Sequence, residues 1–411
     1  MREPSPSQES APTSVISEPQ GGEPRTPLTV ECLGLSQAEV YIDAWRKLAE
    51  TCAEPNVFLD PDFALPAARY LTKAPRFLFV WDGNDEKRGL VGLCPLAHPG
   101  PGEGFFPERL WTHNQAPLGT PLLDAGHAKD ALDAIFAWCL KHFGTGAGLI
   151  FPMLPQEGVV AGLLRKGAAA EGREILTLDA GKRACLSGGQ EPQQYLDASI
   201  HSNRRRKLKR ARKLLEARGI LTFQVATAPE DVRAATESFL DLEAKGWKGR
   251  RGTAFLKSTE GAAFAREVAT KLAAGGKYMV VSLTLNAQAL AVGLVLKSGN
   301  RAFWWKIAYD EVFAHYSPGV LLASEGTRFL LSDATIALTD SCTQGAYSMI
   351  EHIWSERMGI ADVLAAVGAA HPEKFDVLAR RERLRRTLRS RLKAVVLWLR
   401  QWKRGRAHAQ G

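Results

Sequence analysis

Three strand-like runs, at residues 278–285, 290–296 and 302–308, follow one another with only Asn286-Ala287-Gln288 and Ser298-Gly299-Asn300 between them. Polar turns this short leave little choice but an antiparallel meander. The third run ends in Tyr309-Asp310-Glu311 and leads through Tyr316-Ser317-Pro318-Gly319 into an apolar stretch that predicts a helix over 318–331, after which 335–338 returns as a strand. Serine just before a helix and proline at its first position are favoured N-terminal chemistry. The backbone N–H groups of Gly319, Val320 and Leu321, with Ser317 and Pro318 ahead of them, would then face out of the helix start, where the dipole favours a pyrophosphate. An ordinary capped helix explains the same residues.

The rest of the chain repeats this grammar. A strand is expected at 221–226 and helices at 230–245 and 261–274. Before them come a helix at 35–53, a hairpin of 77–81 with 90–96 around Asp82-Gly83-Asn84-Asp85, a helix at 128–142, a strand at 148–154, a helix at 159–167 and one long amphipathic helix over 193–217 that ends at Gly219. Alternation of this kind predicts an α/β class with mixed, mostly antiparallel sheets flanked by helices. A length of 411 residues exceeds one ordinary core. The expected division is a leader over 1–28, an N-terminal domain over 29–190, a C-terminal domain over 191–370 and a tail over 371–411.

Charge is unevenly placed. Beyond Ala379 stand twelve arginines or lysines against one acid, Glu382, more than the whole chain's net +9, so the body before the tail is slightly negative. In the tail Leu384, Leu388, Leu392, Val395, Val396, Leu399 and Trp402 recur at helical spacing among cations. That pattern fits a basic amphipathic helix on an anionic membrane surface, or a helix packed on the body or a partner. No apolar run is long enough to span a bilayer and the leader lacks an apolar core, so the expected location is the cytoplasm, peripheral to the inner membrane. Six scattered cysteines without a C-x-x-C pair form no evident zinc site and suit a reducing compartment.

The sequence resembles the CelD-type acetyltransferases associated with cellulose biosynthesis, members of the GNAT superfamily related to the Fem peptidyltransferases. The resemblance rests on Ser202-Asn203-Arg204-Arg205 with Leu208 and Arg210, Gly246-Trp247-Lys248-Gly249 with Gly252 and Thr253, Ala308-Tyr309-Asp310-Glu311, Tyr316-Ser317-Pro318-Gly319, Asp340 and Trp354. Trp45, Asn56-Val57-Phe58 and Gly92-Leu93-Cys94-Pro95-Leu96 extend it to residues 35–365. It implies tandem GNAT-like domains, acetyl-CoA as acyl donor beside the strand ending at Ala308, and pyrophosphate on the Pro318–Leu321 helix start. The related Fem enzymes also use aminoacyl-tRNA, but no long helical arm for gripping tRNA is visible here.

Acyl transfer to an amine needs a base near that strand end. Asp310 is the first candidate, with Glu311 beside it, and Asp340 is expected close enough to raise one carboxyl pKa. Tyr309, Tyr316 and His315 could protonate the leaving thiolate. Trp247, Lys248 and Arg251, in a glycine-rich break, could line the acceptor side. The dense run Arg204–Lys213 carries no interleaved aromatics for base stacking, so phosphate contact or a solvated face is preferred to nucleic acid. The expected function is acyl transfer from acyl-CoA to an amine or hydroxyl, with a small-molecule or polysaccharide-related acceptor. A non-catalytic ligand-binding protein on the same fold, and a Fem-like aminoacyl transferase, are the alternatives.

Overall fold

The structure is a computed structural model that describes residues 28–83, 88–98, 105–343, 349–369 and 371–408, with side chains to residue 392. Residues 1–27 of the leader, and Asn84 and Asp85 of the turn, lie outside the described residues.

Among the described residues thirteen strands form: β1 (Thr29–Leu33), β2 (Arg76–Asp82), β3 (Gly89–Leu96), β4 (Glu108–Arg109), β5 (Leu122–Leu123), β6 (Gly148–Pro155), β7 (Ile175–Ser187), β8 (Leu221–Ala226), β9 (Tyr278–Leu285), β10 (Gln288–Ser298), β11 (Arg301–Tyr309), β12 (Leu338–Asp340) and β13 (Glu356–Ala366). One sheet has the order β1-β2-β3-β5, and a nine-stranded sheet has the order β4-β6-β13-β7-β12-β11-β10-β9-β8. The expected meander is present: β9 pairs antiparallel with β10 and β10 with β11. Asn286 and Ala287 turn the first corner with φ of 47° and 67°, the left-handed pair that matches the twist of a tight hairpin. Helices cover both faces. Phe264, Val268 and Leu272 of the Thr259–Ala274 helix bury themselves on the side that also holds Phe303 and Trp305, while Leu322, Ala323 and Leu330 of the Pro318–Ser332 helix pack on the side of Trp304.

Several expectations change. The long helix over 193–217 is two helices, Pro192–Ser199 and Ser202–Glu216, because Ile200 turns extended and sinks into the core. The His201 ring then caps the second helix, accepting from the Asn203 N–H at 3.3 Å. The strand expected at 335–338 begins only at Leu338, since Asp333 holds the Thr335 N–H in a turn. Two strands absent from the sequence reading, β7 and β13, sit in the middle of the large sheet. Although β13 lies within the expected C-terminal domain, it pairs with β6 and β7, which precede residue 190. The two halves therefore share one sheet rather than each closing its own.

The basic tail begins as part of the body. It is one helix, Pro372–His408, whose first turns bury Phe375, Leu378 and Ala379 against Ile150, Leu364 and Ala366. Glu382, the lone acid beyond Ala379, is fully buried and receives Arg109 at 2.8 Å together with Arg385 and Arg386. Burial alone would raise its carboxyl pKa, but Arg385, Arg109 and Arg386 together leave it lowered. Removing one partner of a fully buried ion pair costs about 3–5 kcal/mol, and here the arginines are a quarter to a third exposed, so the expected cost of Glu382→Ala is about 2 kcal/mol. Urea unfolding measures it, and limited proteolysis should show earlier cleavage after Arg380 in the variant. The stabilisation is present above the carboxyl's ordinary pKa and fades as pH falls through its lowered value.

Candidate active site

Strands β11 and β12 run parallel, but their register spans only three pairs: Arg301 with Leu338, Ala302 with Thr339 and Phe303 with Asp340. From Trp304 to Tyr309 β11 continues alone on that side, while the chain after Asp340 turns away through Cys342, whose φ of 56° is a left-handed conformation uncommon outside glycine. The parting opens a cleft of about 820 Å³. Its walls include Trp304–Tyr309 of β11, Ser341–Thr343, Gly246–Lys248, and Asn114, Gln115 and Pro117 from the first half. Both halves thus build it, and the indole N–H of Trp305 donates to the Gln115 carbonyl at 2.9 Å across the junction.

One lysine dominates its electrostatics. Between β10 and β11 the register slips, Leu294 facing Lys306 and Val295 facing Trp304, so Trp305 is the extra residue of a β-bulge. On a regular strand Lys306 would lie opposite in face to Trp305; the bulge turns both toward the Phe255 side. The Lys306 Nζ stands 4.7 Å from the Phe255 ring centre and 5.3 Å from that of Trp305. Lys248 is already paired with the buried Glu243 at 2.8 Å, and the other Glu243 oxygen accepts the Phe255 N–H. Lys306 has no hydrogen-bond or ion-pair partner among the described residues. Burial, and next the charge of Lys248, bring its pKa down to about 7, against weaker opposing pulls from Glu243 and Cys342. His113, sandwiched near Phe63 and Trp111, is held down to about 4 by burial and by Lys306.

The expected carboxylates occupy other posts. Asp340 lies opposite Phe303, seven residues from Asp310 along β11, which at about 3.3 Å per residue is more than 20 Å, so the two do not meet. Asp340 is buried against Arg183 at 3.1 Å and accepts the Cys342 N–H. Asp310 caps the short turn Glu311–Tyr316 through the Val312 N–H. Glu311 lines the cleft, but its oxygens hold the Trp247 N–H at 2.8 Å and Arg250 at 2.7 Å, and the Arg250 hydrogen bond lowers its pKa. A carboxylate so engaged is a poor proton acceptor. Tyr309, Trp247 and Lys248 do line the cleft. Arg251 lies outside, stacked on Trp247 at 4.8 Å.

His315, Tyr316, Ser317 and Val320 line a second pocket of about 660 Å³, together with Arg204, Lys207 and Arg210 of the basic helix. The open helix start is partly closed: the Val320 and Leu321 N–H groups both donate to the Ser317 carbonyl, and buried Pro318 and Gly319 pack inward, with a Cβ on Gly319 meeting Met349 at 2.9 Å. Of the three expected donors only the Gly319 N–H lacks that partner. Lys306 was the residue the sequence reading missed, although one cation inside the run Ala302–Ala308 was the available signal.

Replacing Asp340 by alanine should cost about 3–5 kcal/mol in urea unfolding, since Arg183 would stay buried without its partner. An unchanged midpoint would show that the pair does not anchor β12.

Residues 202–338, a third of the chain, match the family model described as "Acetyltransferase (GNAT) domain". A search of curated proteins gives no match. Among solved structures, FemX superposes with a TM-score of 0.53 at 9% identity, covering 82% of this chain and 98% of FemX. A tandem GNAT protein from the clavulanic acid biosynthesis pathway covers 84% of this chain and 99% of its own at 16% identity, with a TM-score of 0.39, too low to carry weight. The chain is thus an α/β protein similar in fold to FemX, with a segment over residues 202–338 that matches the GNAT acetyltransferase domain model, and its parted strands β11 and β12 hold the cleft.

Proposed function

We propose that the protein transfers an acyl group, acetyl in the first instance, from acyl-CoA to an amine or hydroxyl acceptor. The observation that carries this reading is the parting of β11 from β12. An exposed strand edge offers backbone donors and acceptors to an extended, amide-bearing arm, and the tryptophan-rich walls exclude water from a thioester. The second pocket, with Arg204, Lys207 and Arg210 beside the Pro318 helix start, suits the phosphates of the same donor. The resemblance to CelD-type enzymes favours an acceptor from polysaccharide or cell-envelope synthesis. The likeness to FemX keeps an aminoacyl donor as the second reading, separated by dependence on charged tRNA. Stoichiometric binding without turnover would favour the ligand-binding alternative.

Titration calorimetry with acetyl-CoA should give saturable binding, weakened at least tenfold in an Arg204→Gln, Lys207→Gln, Arg210→Gln variant, equivalent to about 1.4 kcal/mol. No binding by the wild type would remove acetyl-CoA as donor. Equal affinity in the variant would move the phosphates elsewhere.

For the tail, the reading is an anionic lipid surface. No helix among the described residues is long and apolar enough to cross a membrane. Leu384, Leu388 and Leu392 are more than half exposed on one helix face, with Arg383, Arg389 and Arg391 exposed around them. Cations beside an apolar stripe complement anionic headgroups above acyl chains. A chain ending at Arg386 keeps the Glu382 anchor and loses the stripe beyond Leu384. It should fail to co-sediment with phosphatidylserine-containing vesicles that capture the full chain at low salt; equal capture would defeat the reading.

A further inference from the structure

The carboxylates nearest the end of β11 are committed to caps and ion pairs, which leaves the cleft without the acidic base that acyl transfer to an amine would ordinarily use. The cleft does hold an amine with no counter-ion of its own. Lys306 projects into it because the bulge at Trp305 reverses the side to which the strand delivers its residues. The charged and titratable groups facing it are Lys248 and Glu243 from the helical side, Cys342 from the turn after β12, and His113 from the first half. Glu243 is spent on Lys248 and Phe255, Cys342 is kept protonated by burial, and His113 is neutral above about pH 4.

From this placement we infer that Lys306 is the catalytic base, and that the acceptor is a primary amine entering the cleft as its ammonium ion. The inference rests on the acyl-transfer reading above. In its neutral form the Lys306 amine takes one proton from the acceptor ammonium. The freed amine attacks the thioester carbonyl, the C–N bond forms, and the second nitrogen proton leaves to water. The C–S bond then breaks, and the Lys306 ammonium returns its proton to the departing thiolate. The sum is an amide, a free thiol and one released proton, with Lys306 neutral again. Burial favours the uncharged form by withholding water, and the charge of Lys248 adds repulsion. A role in holding a substrate anion would need the opposite state, a permanently charged side chain. Arginine would serve that role and cannot serve as a base near neutrality.

Two measurements test this. Competitive labelling with acetic anhydride from pH 5 to 10, read by peptide mass spectrometry, should show Lys306 becoming reactive near pH 7, well before the exposed Lys129, whose pKa its hydrogen bond to Asp133 raises. Titration of Lys306 with the exposed lysines would overturn the assignment whatever the enzyme's activity. In the second, thiol release from acetyl-CoA is followed with a panel of primary amines. The wild-type rate should rise through a single ionisation near pH 7, and Lys306→Met and Lys306→Arg should each lower kcat at least a hundredfold with KM for acetyl-CoA within threefold. A Lys306→Arg enzyme within threefold of wild type would overturn the base. Turnover with hydroxyl acceptors but no primary amine would overturn the acceptor class. Absence of acyl transfer in the wild type would refute the acyl-transfer reading itself, and the labelling result would still decide the state of Lys306. Folding is checked at pH 6, where the half-buried lysine is charged and costs stability that returns as pH rises from about 7 toward its unfolded value. Lys306→Met should melt at or above the wild-type temperature there.

Discussion

Three residues, Leu338–Asp340, join the two halves of the large sheet. On one side β12 pairs with β7 and on the other with β11, so every strand of the meander reaches the first half's strands through it. So short a strand contributes few ladder hydrogen bonds, and the buried pair of Arg183 and Asp340 supplies what the ladder lacks. Arg183 also donates two bonds to the Pro117 carbonyl, which ties the loop on the cleft's far wall to the same point. A longer β12 would pair with the rest of β11 and close the cleft. The weakness of the joint and the existence of the site are one fact.

The parts of the fold that were legible in the sequence are those whose partners are close along the chain. The meander β9–β11 could be read because each strand meets its neighbour across a short polar turn, and the Pro229–Lys245 and Thr259–Ala274 helices because their apolar spacing repeats within one element. Strands β7 and β13 could not, since each finds its partners by closing a long loop and neither alternates cleanly. In β7 the stretch Asp179–Lys182 is polar and solvent-facing, and in β13 small residues such as Gly359 and Ala361 blur the pattern. The break at Ile200 was hidden for a related reason: burial of one side chain by distant elements overrode a locally continuous helical pattern.

The site divided in the same way. Tyr309 and Glu311, expected near the end of β11, and Trp247 and Lys248, expected to line the acceptor side, do line one cleft. The roles of the acids were not legible, because Asp310, Glu311 and Asp340 are each used up by a backbone N–H or an arginine that only the folded chain brings near. Lys306 escaped notice for a geometric reason. Strict alternation sends it to the side of the Pro318–Ser332 helix, and nothing in the letters Phe-Trp-Trp-Lys-Ile announces that one residue will be skipped in pairing.

The skipped residue also sets up a mechanical connection. Trp305 and Lys306 are chain neighbours that share a face, and the Trp305 indole is tethered to the Gln115 carbonyl of the other half. A displacement of the Asn114–Pro117 loop by an incoming acceptor would therefore tilt the ring against which the amine rests and change how much water reaches it. Movement of one wall would then be felt by the amine on the other, through a single hydrogen bond between the two halves.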